Sequence, residues 1–154
     1  MIEPLVKTID VPCSQKNAFE IFLNQMASWW PMDKFTVSAM AGKSATGIRV
    51  DPRVGGQIVE IGGDGEEVLW GTILTCEPHA RVTMDFHIPR PGDVVTARPL
   101  LELDFEALGP AQTRVTLTQS NFEALGEMGA PVRGGYTFGW QMIFEGGYRA
   151  ACGG

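Results

Sequence analysis

The chain has 154 residues, of which 44% are hydrophobic and 19% are charged, and it carries a net charge of −6. This length predicts one domain, residues 1–154, that can bury a core without cross-links, and the composition excludes a disordered chain. An acidic chain without a run of Lys or Arg repels phosphate backbones, so nucleic acid is not an expected partner.

Three cysteines, Cys13, Cys76 and Cys152, lie far apart in the sequence. Such an odd and scattered set favours neither a disulfide framework nor a zinc site, and it fits the reducing cytoplasm, where we expect the protein. The N-terminal segment lacks the apolar stretch of a signal peptide, and no apolar run approaches the ~18 residues of a membrane span. We therefore expect no membrane association, no bound metal and no cofactor.

The N-terminal part of the chain combines one strand and one helix. Alternating residues predict a strand over Leu5–Val11. Ser14 is a typical N-cap, and apolar residues at helical spacing predict a helix from there to about Ala27. Pro31 disfavours helical backbone at the preceding residue, so the chain should change direction there. Residues 32–46 show little periodicity and are interpreted as a loop with room for a short helix.

The middle of the chain reads as successive strands joined by short turns, which is typical of an antiparallel sheet. The clearest strands alternate apolar and polar residues over Val82–Ile88 and Leu101–Glu106. Further strands are predicted over Ile48–Val50, Gln57–Ile61, Val68–Cys76 and Arg114–Ser120. Gly55-Gly56 favours a bulge or bend in the sheet rather than a phosphate cradle, with Asp51 and Arg53 bracing it.

The C-terminal part predicts a long helix. Residues 122–131 are interpreted as a loop with at most one helical turn, and apolar residues on one helical face then predict a helix from about Gly135 to Ala151. Gly146 and Gly147 should weaken this helix by roughly 1 kcal/mol each relative to alanine. Helices at the two ends of the sequence, with a sheet between them, indicate an α+β fold.

Several short motifs follow one another in an order that is typical of a known superfamily. They are Val11-Pro12, Trp29-Trp30-Pro31, Asp51-Pro52-Arg53-Val54-Gly55-Gly56, Asp64-Gly65, Trp70-Gly71, Glu77-Pro78 with Arg81-Val82, Thr113-Arg114-Val115-Thr116-Leu117, and Tyr136 with Gly139-Trp140. In this order they resemble the START/SRPBCC superfamily, and most of all its AHSA1-like branch, related to the C-terminal domain of the activator of Hsp90 ATPase. The resemblance covers nearly the whole chain. It implies a helix-grip fold, in which a curved antiparallel sheet wraps a long C-terminal helix around a cavity suited to small hydrophobic ligands.

The chain supplies many aromatic residues that could line such a cavity, including four tryptophans. Core packing explains most of them, although apolar walls with a few polar groups are also the usual design of a ligand site. The candidates are Trp30, Trp70, Thr72, Met84, Phe86, Leu103, Tyr136 and Trp140. Of these, Tyr136 or Thr72 could orient a ligand. For any single residue, core packing is the commoner outcome.

No catalytic constellation is visible in the sequence. His79 lies in a turn and His87 on the polar face of a strand, so both are interpreted as solvated surface residues without metal-binding partners. Glu102, Asp104 and Glu106 alternate with apolar residues, which predicts that their carboxylates face water.

These observations leave three hypotheses about function. The first is a protein that binds a small hydrophobic molecule without defined catalysis. The second is a co-chaperone-like interaction module related to the Hsp90 ATPase activator, although a chaperone partner is not expected because that activator's other domain has no room here. The third is an enzyme of the cyclase or hydrolase kind, which requires two or more ionisable side chains facing the cavity. A homodimer through residues 89–99 or the sheet edge is compatible with the sequence.

Overall fold

A curled seven-stranded antiparallel sheet is the central element of the computed structural model, which describes residues 1–154. The strands are β1 (Leu5–Val11), β2 (Ala45–Val50), β3 (Gln57–Gly62), β4 (Glu67–Glu77), β5 (Arg81–Phe86), β6 (Leu100–Gly109) and β7 (Gln112–Ser120). Their order across the sheet is β1-β7-β6-β5-β4-β3-β2. The first strand therefore pairs with the last, and every other neighbour in the sheet is also a neighbour in sequence. The α+β helix-grip fold expected from the sequence is confirmed.

The helices lie before and after the main run of strands. They are α1 (Gln15–Asn24), α2 (Met26–Trp29), α3 (Val37–Met40), α4 (Gly129–Met142) and α5 (Arg149–Ala151), with a 3₁₀-helical segment at Phe122–Met128 and a π-helical stretch at Ile143–Tyr148. The continuous helical segment 129–151 is called the terminal helix below. No helix combines the length and the hydropathy that crossing a bilayer requires.

The first helix ends earlier than its apolar pattern predicts. Ser14 caps α1 as expected, its hydroxyl accepting the Asn17 N–H at 3.1 Å. The helix breaks at Gln25, whose φ of −119° is not helical, and a second short helix follows. Trp30 then adopts extended backbone, as the following proline demands. The short helix allowed within residues 32–46 is α3.

The terminal helix begins six residues before the predicted start at Gly135. A Cβ atom on Gly129 would lie 2.4 Å from the Phe122 carbonyl oxygen, so a glycine is needed where the 3₁₀ segment turns into the helix. Near the other end of the helix, Gly146 and Gly147 have different surroundings. A Cβ on Gly147 would lie 2.7 Å from the Trp29 carbonyl oxygen, whereas the nearest atom to one on Gly146 is 3.6 Å away. Gly147 therefore lets the helix approach α2 closely.

One hydrophobic core of 29 buried residues fills the space between the sheet, α1 and the terminal helix. Helix α1 contributes Phe19 and Phe22, and the terminal helix contributes Phe144 and Tyr148. The Tyr148 hydroxyl is buried and donates to the Ala18 carbonyl oxygen at 2.7 Å, which ties the end of the terminal helix to α1. This contact and the Gly147 approach anchor that end of the helix against α1 and α2.

The polar features of the sheet surface agree with the sequence analysis. Arg53 and Asp51 form an ion pair at 2.7 Å beside the bend, where Gly55 has a φ of +81° that favours glycine. Glu102 and Asp104 alternate with buried residues of β6, and both pair with Arg81 on the neighbouring strand. These carboxylates are part of a partly exposed ion-pair network on the outer face.

Candidate ligand-binding groove

Six of the eight cavity candidates come together in the core. Trp30, Trp70, Met84, Phe86, Leu103 and Trp140 are each no more than 4% exposed. The Trp30 ring centroid lies 5.0 Å from that of Trp70 and 6.0 Å from that of Trp140, and the Phe86 and Trp140 centroids are 5.8 Å apart. We call Trp30, Trp70, Phe86 and Trp140 the aromatic core. Contact between these rings and a ligand stays a prediction.

The other two candidates lie in different places. Thr72 is half-buried on β4, where its backbone N–H donates to the Asp85 carboxylate at 2.7 Å. Tyr136 lies on α4, one turn before Trp140, and its ring stacks on the Trp140 indole at a centroid distance of 5.8 Å. Tyr136 is the one candidate that lines the apolar groove of the molecule.

This groove runs between the terminal helix, the 3₁₀ segment, α3 and the connection from β5 to β6 (residues 87–99). Its volume is about 560 Å³, and twelve of its nineteen lining residues are hydrophobic. Its apolar walls include Phe35, Ile88, Leu125, Met128, Val132 and Ile143. The volume and the lining are typical of sites for small molecules.

A second depression lies on the other side of residues 89–93. Its volume is about 700 Å³, but only three of its fifteen lining residues are hydrophobic. The two share Arg90 and Asp93. Because apolar contact provides most of the affinity for a hydrophobic ligand, the smaller groove is the better candidate site despite its lower volume.

His87 lies in the groove wall, and the prediction that it is a solvated surface residue is wrong. Its side chain is buried, with 9% of the residue exposed, and its Nδ1 lies 3.1 Å from the Tyr136 hydroxyl oxygen. The alternation that suggested a polar face stops where β5 ends at Phe86, and residues 86–89 are all buried. The chain leaves the sheet there, so the period-two pattern no longer decides which residues meet water.

The hydrogen bonds of Tyr136 favour one tautomer of His87. The Tyr136 oxygen accepts the Ile88 N–H at 2.8 Å, and His87 Nδ1, at 3.1 Å, is the one acceptor that the structure gives its O–H, so we assign the Tyr136 O–H as the donor to Nδ1. Burial raises the pKa of Tyr136, which keeps that proton in place. A neutral imidazole that accepts at Nδ1 carries its hydrogen on Nε2. His87 therefore presents an N–H donor on the side away from Tyr136.

Burial and nearby charge keep His87 neutral at physiological pH. Desolvation is the largest cause that lowers its pKa from the ordinary value of 6.5. The positive charges of Arg98 and Arg90 lower the pKa further, and the Asp93 carboxylate opposes them. Lys34 also lines the groove and forms no ion pair, whereas Arg90 pairs with Asp93 at 3.2 Å.

Glu60 is a buried carboxylate that the sequence analysis did not single out. It is fully buried on β3 and accepts the backbone N–H groups of Val37 and Ser38, each at 2.8 Å, and the Trp70 indole N–H at 3.1 Å. The Ser38 hydroxyl donates to it as well, at 2.6 Å. Glu60 thus joins α3, which carries part of the groove wall, to the aromatic core. Its burial could have been predicted from its position two residues after the core residue Ile58, because residues two apart on a strand share a face.

The family comparison covers most of the chain. The model of the family described as Activator of Hsp90 ATPase homolog 1-like protein matches residues 13–146. No curated protein matches the chain in sequence.

Solved structures of several proteins share the fold. The anthrahydroquino-gamma-pyrone synthase Txn09, complexed with SUM, is 28% identical with a TM-score of 0.59, over 86% of this chain and 85% of that one. The self-sacrificing resistance protein CalC from Micromonospora echinospora is 23% identical with a TM-score of 0.68, over 97% and 93%. PFC0360w, an HSP90 activator from Plasmodium falciparum, is 16% identical with a TM-score of 0.52, over 93% and 96%. The last two show likeness of fold alone.

Proposed function

Because the chain belongs to the Activator of Hsp90 ATPase homolog 1-like family and has an apolar groove against its terminal helix, we propose that it binds a small hydrophobic molecule there. The groove itself is the observation that carries the proposal: about 560 Å³, mostly hydrophobic walls, and a polar pair, His87 and Tyr136, that can orient a guest. Binding sites for small molecules combine these three properties.

The rim of the groove supports this proposal. Val94 is 89% exposed, Met40 46% and Met128 42%, and all three line the groove. Apolar side chains clustered at the edge of an apolar depression are costly to hydrate, and a hydrophobic guest would shield them from water. The two methionines add flexible walls that can adapt to the shape of a guest.

Two adjacent glycines on α4 allow a matched test. A Cβ atom on Gly134 or on Gly135 would meet no atom within 4 Å, but only Gly135 lines the groove. Gly135→Trp should place an indole in the groove and leave the fold intact, and Gly134→Trp is the control.

The experiment is a thermal-shift screen of lipids and fused-ring aromatic compounds, followed by calorimetric titration of the hits. A compound that binds the native state raises the unfolding midpoint, because it adds about 2.7 kcal/mol to the free energy of unfolding when its concentration is a hundred times its Kd. Gly135→Trp should abolish the shift, and Gly134→Trp should retain it. The proposal fails if no compound shifts the midpoint, or if Gly135→Trp binds as well as wild type.

A catalytic use of the same groove is the second candidate. The observation that favours it is that His87 and Tyr136, two ionisable side chains, both line the groove. Txn09, at 28% identity, is named a synthase. His87 Nε2–H would donate a hydrogen bond to a carbonyl oxygen of the guest and stabilise negative charge that develops on that oxygen. The test is turnover of fused-ring polyketones with wild type and His87→Gln. Product formation that His87→Gln reduces by about a hundredfold or more supports catalysis, whereas binding without product rejects it.

The co-chaperone alternative rests on the family description and on the likeness to PFC0360w. At 16% identity, that likeness transfers the fold and not the activity. Hsp90 stimulation stays an untested alternative, and a homodimer and a cytoplasmic location stay predictions.

A further inference from the structure

The groove wall contains an imidazole N–H that no protein atom accepts. His87 Nδ1 is engaged by the Tyr136 hydroxyl, and the opposite nitrogen, Nε2, carries the ring hydrogen without a partner in the protein. The residue is 91% buried, but its Nε2 keeps some contact with solvent. A donor at such a partly shielded position gains from an acceptor that a guest brings, and most of all from a charged oxygen.

The charges around this donor favour an anion. Two cations, Lys34 and Arg90, line the groove, and Arg98 is near enough to lower the pKa of His87. The single carboxylate of the lining is Asp93, and Arg90 already pairs with it at 3.2 Å. Lys34 is left without a counter-ion. A chain with a net charge of −6 thus has a groove whose own charges sum to a positive value.

We propose that the groove selects an aromatic acid, with apolar rings against the hydrophobic walls, a carboxylate or phenolate oxygen accepting the His87 Nε2–H, and Lys34 neutralising its charge. This names the ligand class of the proposed function and depends on it. A charged acceptor placed on this N–H, with an unpaired ammonium at the same groove, gains more than a neutral acceptor of equal size because hydrogen bonds to a charged oxygen are the stronger ones.

Two fluorescent probes test the charge preference directly. Anthracene-carboxylate and anthracene-methanol share a ring system and differ in the charge of the substituent at the central ring. Wild type should bind the carboxylate about tenfold more tightly, which corresponds to about 1.4 kcal/mol. The preference should shrink as salt concentration rises, since part of it comes from the exposed Lys34.

Paired variants identify the side chains that cause the preference for the carboxylate probe. Lys34→Gln and His87→Phe should each remove most of it, whereas the exposed Lys16→Gln and the turn variant His79→Gln should leave it unchanged. Far-ultraviolet circular dichroism and the unfolding midpoint verify that each variant is folded. A merely structural role for His87 would weaken binding of both probes equally and leave their ratio unaltered.

The outcomes separate this inference from the proposed function. If both probes bind equally and Gly135→Trp abolishes the binding of both, the groove is a ligand site without a preference for acids, and the inference is overturned. A carboxylate preference that survives both Lys34→Gln and His87→Phe overturns it too. If neither probe binds and no compound of the screen does, both proposals fall together.

Discussion

The aromatic core and the groove lie against the same helix but differ in how their polar atoms are used. Trp140 and Tyr136 are one turn apart on α4 and their rings stack, yet Trp140 is fully buried in the core and Tyr136 lines the groove. One helical turn therefore separates a region that packs from a region that can bind. An apolar helix face therefore does not by itself mark a cavity.

The indole nitrogens of the core are all occupied. Trp30 Nε1 donates to the Phe35 carbonyl oxygen at 2.8 Å, Trp70 Nε1 to Glu60 at 3.1 Å, and Trp140 Nε1 to the Gln119 side-chain oxygen at 2.8 Å. In the groove, His87 Nε2 has no such acceptor. The indole donors of the core are thus satisfied by the protein itself, whereas the imidazole donor of the groove is a place where a guest can add a hydrogen bond.

The largest expected effect is on the stability of the core. Trp140→Ala should lower the free energy of unfolding by about 3–5 kcal/mol, because it removes a buried indole and leaves a cavity. Phe138→Ala, on the same helix, should cost well under 1 kcal/mol since Phe138 is 62% exposed. Urea unfolding of both variants measures the difference. Similar losses in the two would mean that the region around Trp140 is not tightly packed.

An intermediate effect should follow from removing the carboxylate that joins the two regions. Glu60→Ala leaves the N–H groups of Val37, Ser38 and Trp70 without an acceptor. The buried Trp70 indole should cost about 1–3 kcal/mol, and the two part-buried backbone groups less, which gives about 2–4 kcal/mol in all. The exposed Glu66→Ala is the matched control. Loosening α3 should also weaken binding of anthracene-methanol in the groove. A Glu60→Ala variant as stable as Glu66→Ala would show that the link is not needed.

The smallest expected effect is a pH dependence of stability that arises from His87 in the groove. The folded-state pKa of His87 lies below the unfolded value of 6.5, so the unfolded chain takes up the proton more readily. The stability that neutral His87 provides is complete above pH 6.5 and is lost as the pH falls through 6.5 toward the lower folded value. Urea unfolding of wild type, His87→Gln and His79→Gln between pH 7.5 and 5 should show a reduced dependence only in His87→Gln. Equal slopes in all three would contradict the buried, neutral assignment.

The parts of the architecture that could be predicted are those that local sequence patterns specify. The strands, the Ser14 cap, the Asp51–Arg53 brace and the existence of the terminal helix follow from alternation, capping and turn chemistry, which act over a few residues. The ordered motifs, from Val11-Pro12 to Gly139-Trp140, identified the family and its helix-grip fold. The predicted start of the terminal helix was six residues late because the packing of Gly129 on Phe122 is a contact between two segments, and no periodic pattern records it.

The sequence by itself thus determined which faces of the sheet and helix are apolar, and hence the fold. Only the tertiary structure decided where the space under the terminal helix is filled and where it is open. Trp140 and Tyr136 belong to the same apolar face of the terminal helix, but the surrounding elements place the first in the core and the second at the groove. His87 and Glu60 became buried polar groups for the same reason: their surroundings depend on residues far away in the chain, such as Tyr136 and Val37. Close packing is a property of the assembled elements, so it cannot be read from one segment at a time.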